Sequence, residues 1–178
     1  MQFERALVPY PDTTEPLAGR IDVEVDWEGR SWIHVVFRAS GFSDGIVLPA
    51  AGGGRRDELW KHTCCEVFGR RQDRSYAEFN LSPSMAWAAY GFSGYRADMA
   101  DLNVGEPRIT FEKSEGGFEL TAILFWNEWP HLDAIGLSAV IETVGGAKSW
   151  WALNHPSDKP DFHHPESFAL KSPVLGKP

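Results

Sequence analysis

The sequence has few cysteines and no cysteine spacing that suggests a cross-link or a metal site. Its 178 residues include two cysteines, the adjacent Cys64 and Cys65. Because neighbouring side chains of a strand point to opposite faces, a disulfide between these two would require a strained turn. A structural metal site would need wider spacing and more ligands. We therefore expect two reduced thiols at strand positions, consistent with a reducing compartment.

The sequence also lacks concentrated positive charge and long apolar runs. The formal net charge is −8, whereas nucleic acids and anionic membranes are bound by clustered Lys and Arg. The pairs Arg55–Arg56 and Arg70–Arg71 are short and typical of solvated turns. No run of about 18 apolar residues is long enough to span a bilayer, and the N-terminus lacks the apolar segment of a signal peptide. The sequence predicts a cytoplasmic protein with no nucleic-acid or membrane partner.

Signatures of catalysis and of cofactor binding are scarce. The sequence contains no nucleophile elbow, no P-loop and no dinucleotide glycine fingerprint. Ser82 and Ser84 lie in "SPS", which is typical of a turn after a strand. These absences favour a protein that binds a ligand without catalysis, and we expect no cofactor.

Short alternating segments dominate the chain. In "IDVEVDW" (21–27), apolar and acidic residues alternate with the period of a half-buried strand. Similar segments occupy 31–41, 45–49, 63–70, 75–82, 86–92, 107–114, 117–126, 135–144 and 148–153. We assign a short helical turn to 127–133 and leave 95–102 unassigned. Since sheets with one apolar face must cover it, the sequence predicts an all-β fold, a single-domain antiparallel β-sandwich over residues 1–178.

One predicted hairpin carries polar groups at every second position. In "YAEFNL" (76–81), Phe79 belongs to an apolar face, which leaves Glu78 and Asn80 on the opposite face. In the partner strand, Val67 is a natural core residue, which places Glu66 on that same opposite face. Two carboxylates and an amide on one sheet face predict a polar binding surface. The alternative is that this face only meets water, as in many sandwich strands.

Aromatic residues near the predicted strand ends favour the binding interpretation. They are Trp60, Trp87, Tyr90, Trp150 and Trp151. Aromatic rings beside carboxylates and amides suit sugars and other amphipathic ligands, which bind through a few placed polar groups in an apolar cleft. Trp150 and Trp151 must point to opposite faces of a strand, so we expect at most one of them in the core.

The segment "NHPSDKPDFHHPESF" (154–168) is a second candidate site. It contains the possible metal ligands His155, Asp158, Asp161, His163 and His164. Its three prolines exclude a helix or central strand that would fix ligand spacing. We therefore predict no metal site here, but a rigid loop that packs over one end of the sandwich with its histidines bonded to the backbone.

Several blocks resemble a known family. The stretch "LWKHTCCEVFGRRQDRSYAEFNLSPSMAWAAYGFSGYR" (59–96) resembles the core motif of bacterial DOMON-like proteins, relatives of the family 9 carbohydrate-binding modules. The blocks "IGLSAVIE" (135–142), "SWWALNHP" (149–156) and "KPDFHHPESFAL" (159–170) are similar to the remaining motifs. Cys65 departs from the pattern, in which an aromatic residue is expected.

The resemblance implies a β-sandwich that binds a ligand on one sheet or in a cleft at its edge. Known ligands in the wider superfamily are sugars and haem. The residues that fall in the matching blocks, and that we predict to bind ligand, are Trp60, Glu66, Glu78, Asn80, Trp87, Trp151 and His155. Haem would need an axial pair such as Met85 with a histidine, and Met85 lies in a predicted turn.

The leading prediction is a non-catalytic module that binds a small molecule, a carbohydrate or a sugar-derived metabolite. One alternative is an enzyme that uses Glu66 or Glu78 with His155 as acid and base. Haem binding is a second alternative, and a structural or interaction domain whose tryptophans all lie in the core or an interface is a third. The sequence leaves the ligand and the oligomeric state open.

Overall fold

The computed structural model describes residues 2–11, 19–27, 32–43, 45–125 and 132–171. These residues form strands that pair into two antiparallel sheets. The strands are β1 (Gln2–Ala6), β2 (Val8–Pro9), β3 (Arg20–Asp26), β4 (Trp32–Ser40), β5 (Cys64–Arg71), β6 (Tyr76–Leu81), β7 (Trp87–Phe92), β8 (Ala100–Asp101), β9 (Arg108–Ser114), β10 (Gly117–Phe125), β11 (Leu132–Glu142), β12 (Lys148–Ala152) and β13 (Leu170–Lys171). Single turns of 3-10 helix lie at Leu59–Lys61 and Pro165–Ser167.

The first sheet has the strand order β1-β3-β4-β10-β9. The predicted hairpins are confirmed, with Val23 opposite Phe37 in β3 and β4. The turn from β9 to β10 requires glycine twice. Gly116 has a φ of 64°, and a Cβ on Gly117 would lie 1.9 Å from the carbonyl oxygen of Ala39. Any side chain at Gly117 would therefore separate β10 from β4.

The second sheet has the order β2-β12-β11-β5-β6-β7-β8, and β13 pairs with one end of β11. Strands β5, β6 and β7 form consecutive hairpins. Glu66 lies opposite Asn80 across β5 and β6, and Glu78 lies opposite Tyr90 across β6 and β7. This register places the polar groups that the sequence singles out on one face.

The main core lies between the two sheets. Val67 and Phe79 of the second sheet are fully buried there, against apolar residues of β3, β4 and β10. The predicted all-β antiparallel sandwich is confirmed, because alternation in each strand gives each sheet one apolar face.

The outer faces of the two sheets differ. On the first sheet, Arg38 forms exposed ion pairs with Glu24 and Glu119, with N–O distances of 3.1 and 2.8 Å. The outer face of the second sheet is instead buried, because residues of 92–99 and 154–168 pack over it. The candidate site described below lies beneath this cover.

The sequence misses several elements. It predicts no strands before residue 20, yet β1 and β2 place the N-terminal segment in both sheets. The segment 45–49 forms only a bridge from Ile46 to Thr143, and β8 lies within the unassigned 95–102. Of the helical turn expected at 127–133, residues 127–131 lie outside the described residues and the last two belong to β11. None of the helical turns in the described ranges is long enough to cross a bilayer.

Candidate functional site

A second, aromatic core lies on the outer face of the second sheet. Tyr76 stacks on Phe92 with ring centroids 4.5 Å apart, and Phe68 and Tyr76 both contact Phe168 from the covering segment. Gly136 allows this close approach, because a Cβ there would lie 3.2 Å from the carbonyl oxygen of Ser167. The segment 154–168 therefore packs over the sheet face and not over one end of the sandwich, which corrects the predicted placement.

Asp161 joins the two covering segments. Its buried carboxylate accepts hydrogen bonds from the hydroxyl of Tyr95 at 2.6 Å and from Nη2 of Arg96 at 2.9 Å. It also accepts the backbone N–H of His163 at 3.2 Å. Burial opposes its ionisation, yet the hydrogen bonds from Tyr95 and Arg96 hold the pKa of Asp161 below its ordinary value. Asp161 therefore acts as an ionised anchor for the cover.

The sheet face and its cover enclose a pocket of about 360 Å³. Glu66, Glu78, Val140 and Trp150 line it from the sheet. Its other lining residues are Trp60, Phe92, Arg96, Met99, Pro160, Phe162 and His163. The pocket thus combines carboxyl groups with several aromatic rings.

The two carboxyl groups are diagonal neighbours on β5 and β6, because Glu66 lies opposite Asn80 and Glu78 lies two residues before it. Oε2 of Glu66 accepts a hydrogen bond from Ser138 Oγ at 2.9 Å, and Oε1 of Glu78 accepts one from Asn80 Nδ2 at 2.7 Å. Glu66 is 3% exposed and Glu78 is 5% exposed. The alternative that this face only meets water is therefore wrong.

Burial shifts the titration of both carboxyl groups. Loss of solvation, followed by repulsion from Glu78, raises the pKa of Glu66 to about 8. Loss of solvation raises the pKa of Glu78 to about 7. The hydrogen bonds from Ser138 and Asn80 and the positive charge of Arg96 oppose these shifts. Both carboxyl groups therefore keep their protons to a higher pH than an ordinary glutamate does.

His163 connects the cover to the carboxyl pair. Its Nδ1 lies 2.8 Å from the hydroxyl of Tyr76, which accepts the backbone N–H of Arg96 at 3.1 Å. The other ring nitrogen, Nε2, lies 3.7 Å from Oε2 of Glu78. Burial, reinforced by the charge of Arg96, lowers the pKa of His163 to about 4. At neutral pH this contact is therefore a polar contact of a neutral imidazole and not an ion pair.

The structure brings three of the seven predicted ligand residues to the pocket: Trp60, Glu66 and Glu78. Trp60 lies in the 3-10 turn before β5 and packs edge-on against Tyr90, with centroids 5.9 Å apart. Asn80 is fully buried behind the pocket, where it donates to Glu78. Asn80 therefore orients the carboxyl group of Glu78.

The other three predicted residues lie elsewhere, which corrects the expected grouping. Trp87 and Trp151 point into the core between the sheets, because each follows the inward phase of its strand. Arg55 lies over the Trp87 ring, and Trp151 Nε1 donates to Ser149. His155 bonds the carbonyl oxygen of Val8 at 2.8 Å through Nε2, so it ties the cover to β2.

Sequence reasoning misses several pocket residues. Trp150 is one of the candidate rings in the sequence. Because neighbouring residues of β12 point to opposite faces, Trp150 lies on the pocket face and Trp151 lies in the core. This agrees with the expectation that at most one of the two enters the core. The sequence predicts that His163 bonds to the backbone, whereas its ring contacts the side chains of Tyr76 and Glu78. Arg96, Met99 and Phe162 lie in segments without periodicity, so no pattern in the sequence points to them.

The candidate metal ligands of the described part of the chain do not come together. No group of three or more His, Cys, Asp or Glu residues there is placed to hold a metal ion. Met85, the haem ligand considered, is exposed in the turn between β6 and β7. Its φ of 65° belongs to that turn.

Comparisons with known proteins agree with the fold. Neither a family model nor a curated protein matches the sequence. A candidate carbohydrate-binding protein from Bacteroides uniformis has a TM-score of 0.65 at 15% identity, over 93% of this chain and 84% of that chain. A family 9 carbohydrate-binding module from Caldicellulosiruptor kristjanssonii, in complex with glucose or with cellotriose, has a TM-score of 0.45 at 10% or 9% identity. The chain covers 66% and 65% of those two structures, which cover 76% of it.

Proposed function

We propose that this chain is a non-catalytic module that binds a carbohydrate in the pocket between the second sheet and its cover. The observation that carries the proposal is the presence in one cavity of two buried carboxyl groups and two tryptophans, Trp60 and Trp150. Carboxyl oxygens accept hydrogen bonds from sugar hydroxyls, and indole rings cover the apolar faces of sugar rings. The volume of about 360 Å³ lies in the range of small-molecule sites.

The fold supports the same conclusion without naming the ligand. The Bacteroides uniformis protein, which shares the sandwich over most of its length, is a candidate carbohydrate-binding protein. The resemblance of this sequence to bacterial DOMON-like proteins stays a prediction. The contribution of each pocket residue to binding also stays a prediction, for which Glu66, Glu78, Trp60 and Trp150 are the first candidates.

A panel of neutral, amino and N-acetylated sugars, followed by tryptophan fluorescence and by thermal unfolding, tests the proposal. A bound sugar raises the free energy of unfolding by RT ln(1 + [L]/Kd), about 2.7 kcal/mol at a concentration of 100 Kd. The matched variants are Glu78→Gln in the pocket and Glu112→Gln on exposed β9. Glu78→Gln should weaken binding and Glu112→Gln should leave it unchanged. Silence across the whole panel by both readouts would overturn the proposal.

Acid–base catalysis is a second candidate, and one observation favours it. Glu66 and Glu78 are carboxyl groups in a cleft whose raised pKa values allow proton exchange near neutral pH. His155 cannot be the partner that the sequence suggested, since it bonds Val8 and does not line the pocket. Incubating the protein with each sugar that binds and following the sugar by NMR separates the two functions. New products that disappear in Glu78→Gln would establish an enzyme.

A further inference from the structure

The pocket has two ionisable acidic groups and no unmatched positive charge among its described lining residues. Glu66 and Glu78 are two acidic groups that line it. The positive charge of Arg96 is matched by Asp161, with an N–O distance of 2.9 Å, and His163 is neutral at neutral pH. A ligand that carries one positive charge would therefore favour the ionised form of a carboxyl group and pair with it, whereas a neutral ligand would not.

The hydrogen-bonding capacity of the carboxyl pair is only half used. Within the part of the chain that the structure describes, Oε2 of Glu66 and Oε1 of Glu78 accept hydrogen bonds from Ser138 and Asn80. Oε1 of Glu66 receives no hydrogen bond there, and Oε2 of Glu78 has only the 3.7 Å contact with His163. Both residues line the pocket, so these oxygens are available to accept hydrogen bonds from a ligand, and a protonated amine supplies three donors from one atom.

The remaining walls also suit a cation. Trp60, Trp150, Phe92 and Phe162 line the same cavity as the two carboxyl groups. The negative face of an aromatic ring attracts an ammonium group, and tryptophan does so most strongly. The cavity therefore offers a cation both carboxyl groups and aromatic rings.

We propose that the preferred ligand is an amino sugar, bound as its ammonium form with the nitrogen between Glu66 and Glu78. This inference rests on the proposed carbohydrate-binding function and narrows its ligand class. Neutral sugars bind the same rings more weakly, because they bring no positive charge that can pair with an ionised carboxyl group. N-acetylation removes the positive charge and is expected to remove the preference.

Calorimetric titration with matched sugars tests this selection. Glucose, galactose and mannose are each compared with the corresponding 2-amino-2-deoxy sugar and its N-acetyl form at pH 7. At least one amino sugar should bind about tenfold tighter than both of its neutral relatives. Equal or tighter binding of the neutral sugars would overturn the ammonium proposal while the carbohydrate-binding function stands. If no sugar of either kind binds, both proposals fail.

A double variant separates charge from shape. Glu66→Gln with Glu78→Gln keeps the size of both side chains but removes the negative charge, so the ratio of amino-sugar to neutral-sugar affinity should fall to about one. A preference that persists in this folded variant would overturn the proposal. The variant Glu112→Gln, on the other sheet, should keep the preference.

Proton release provides an independent readout. A bound ammonium group favours the ionised carboxylates, so binding should release protons at pH 6.5, where a primary amine is itself protonated. Titrations in two buffers that differ in ionisation enthalpy measure this release. Binding of the amino sugar without proton release would contradict contact between the ammonium group and the carboxyl pair.

Discussion

Nε2 of His163 lies 3.7 Å from Oε2 of Glu78, so a residue of the segment after β12 reaches the floor of the pocket on β6. The site therefore belongs to neither element alone. Its floor is the polar face of a sheet, and its walls come from segments that Asp161 holds together. Changes in the cover should affect binding as much as changes in the floor.

Replacing Asp161 with Asn should loosen the cover. The variant loses charge-assisted hydrogen bonds to Tyr95 and Arg96, so the free energy of unfolding should fall by about 1.5–3 kcal/mol at pH 7. Because the pKa of Asp161 is lowered in the folded state, this contribution is present above the unfolded pKa and shrinks below about pH 4. Hydrogen exchange of the amides in 154–168 should accelerate. Asp158→Asn, at an exposed position of the same segment, should change neither quantity.

Replacing Glu66 with Gln should stabilise the protein at alkaline pH. The pKa of Glu66 is raised on folding, so its contribution to stability is full below the unfolded pKa near 4.5 and is lost as the pH rises through about 8. The neutral variant avoids this loss and should be more stable by about 1–3 kcal/mol at pH 8, with little difference at pH 4. Chemical unfolding at both pH values measures the effect. If Glu66→Gln lost as much stability between pH 4 and pH 8 as the natural protein does, the result would contradict the assigned burial of Glu66.

Trp150 and Trp151 provide a matched pair of substitutions. Trp151 is 2% exposed in the main core, so Trp151→Ala should lower the free energy of unfolding by about 3–5 kcal/mol. Trp150 is half-buried at the pocket, so Trp150→Ala should cost less than about 1.5 kcal/mol but weaken sugar binding by at least about tenfold. Denaturant titration and calorimetry measure the two effects. If instead Trp150→Ala lowered stability by the larger amount and Trp151→Ala weakened binding, Trp150 would be the core residue of β12 and Trp151 the pocket residue.

Phe79 and Glu78 test the two faces of β6 in the same way. Phe79 is fully buried between the sheets, so Phe79→Ala should cost about 3–5 kcal/mol of folding stability. Glu78→Ala should reduce binding more than folding, because the charged form of this buried group is already disfavoured. Thermal unfolding compared with sugar affinity separates the two effects. Loss of folding in Glu78→Ala alone would contradict the assignment of faces.

The alternation of residues predicts most of the fold and the two carboxyl groups of the candidate site. Because the side chains of a strand alternate between faces, the pattern around Val67 and Phe79 was sufficient to place Glu66 and Glu78 together. It could not reveal that their face is buried, since the covering segment has no periodicity of its own. The proline-rich tail was predicted to be rigid, but its docking on the sheet depends on contacts such as those of Gly136 and Phe168, far apart in sequence.

The tryptophans show where local pattern fails. Trp87 and Trp151 occupy the blocks that resemble known motifs, yet both point into the main core. Strand phase decides between Trp150 and Trp151, and a two-residue aromatic run fits either phase. Arg96 and Phe162 reach the pocket from irregular segments, whose conformation is set by distant hydrogen bonds to Asp161 and His155.

The indole N–H signals in a ¹H–¹⁵N spectrum provide the most direct test of the pocket. The chain has eight tryptophans, and single Trp→Phe variants assign their signals. Titration with a sugar that stabilises the protein should shift the signals of Trp60 and Trp150 and leave those of Trp87 and Trp151 in place. Shifts confined to Trp87 and Trp151, or a stabilising sugar that moves neither Trp60 nor Trp150, would contradict binding between the second sheet and its cover.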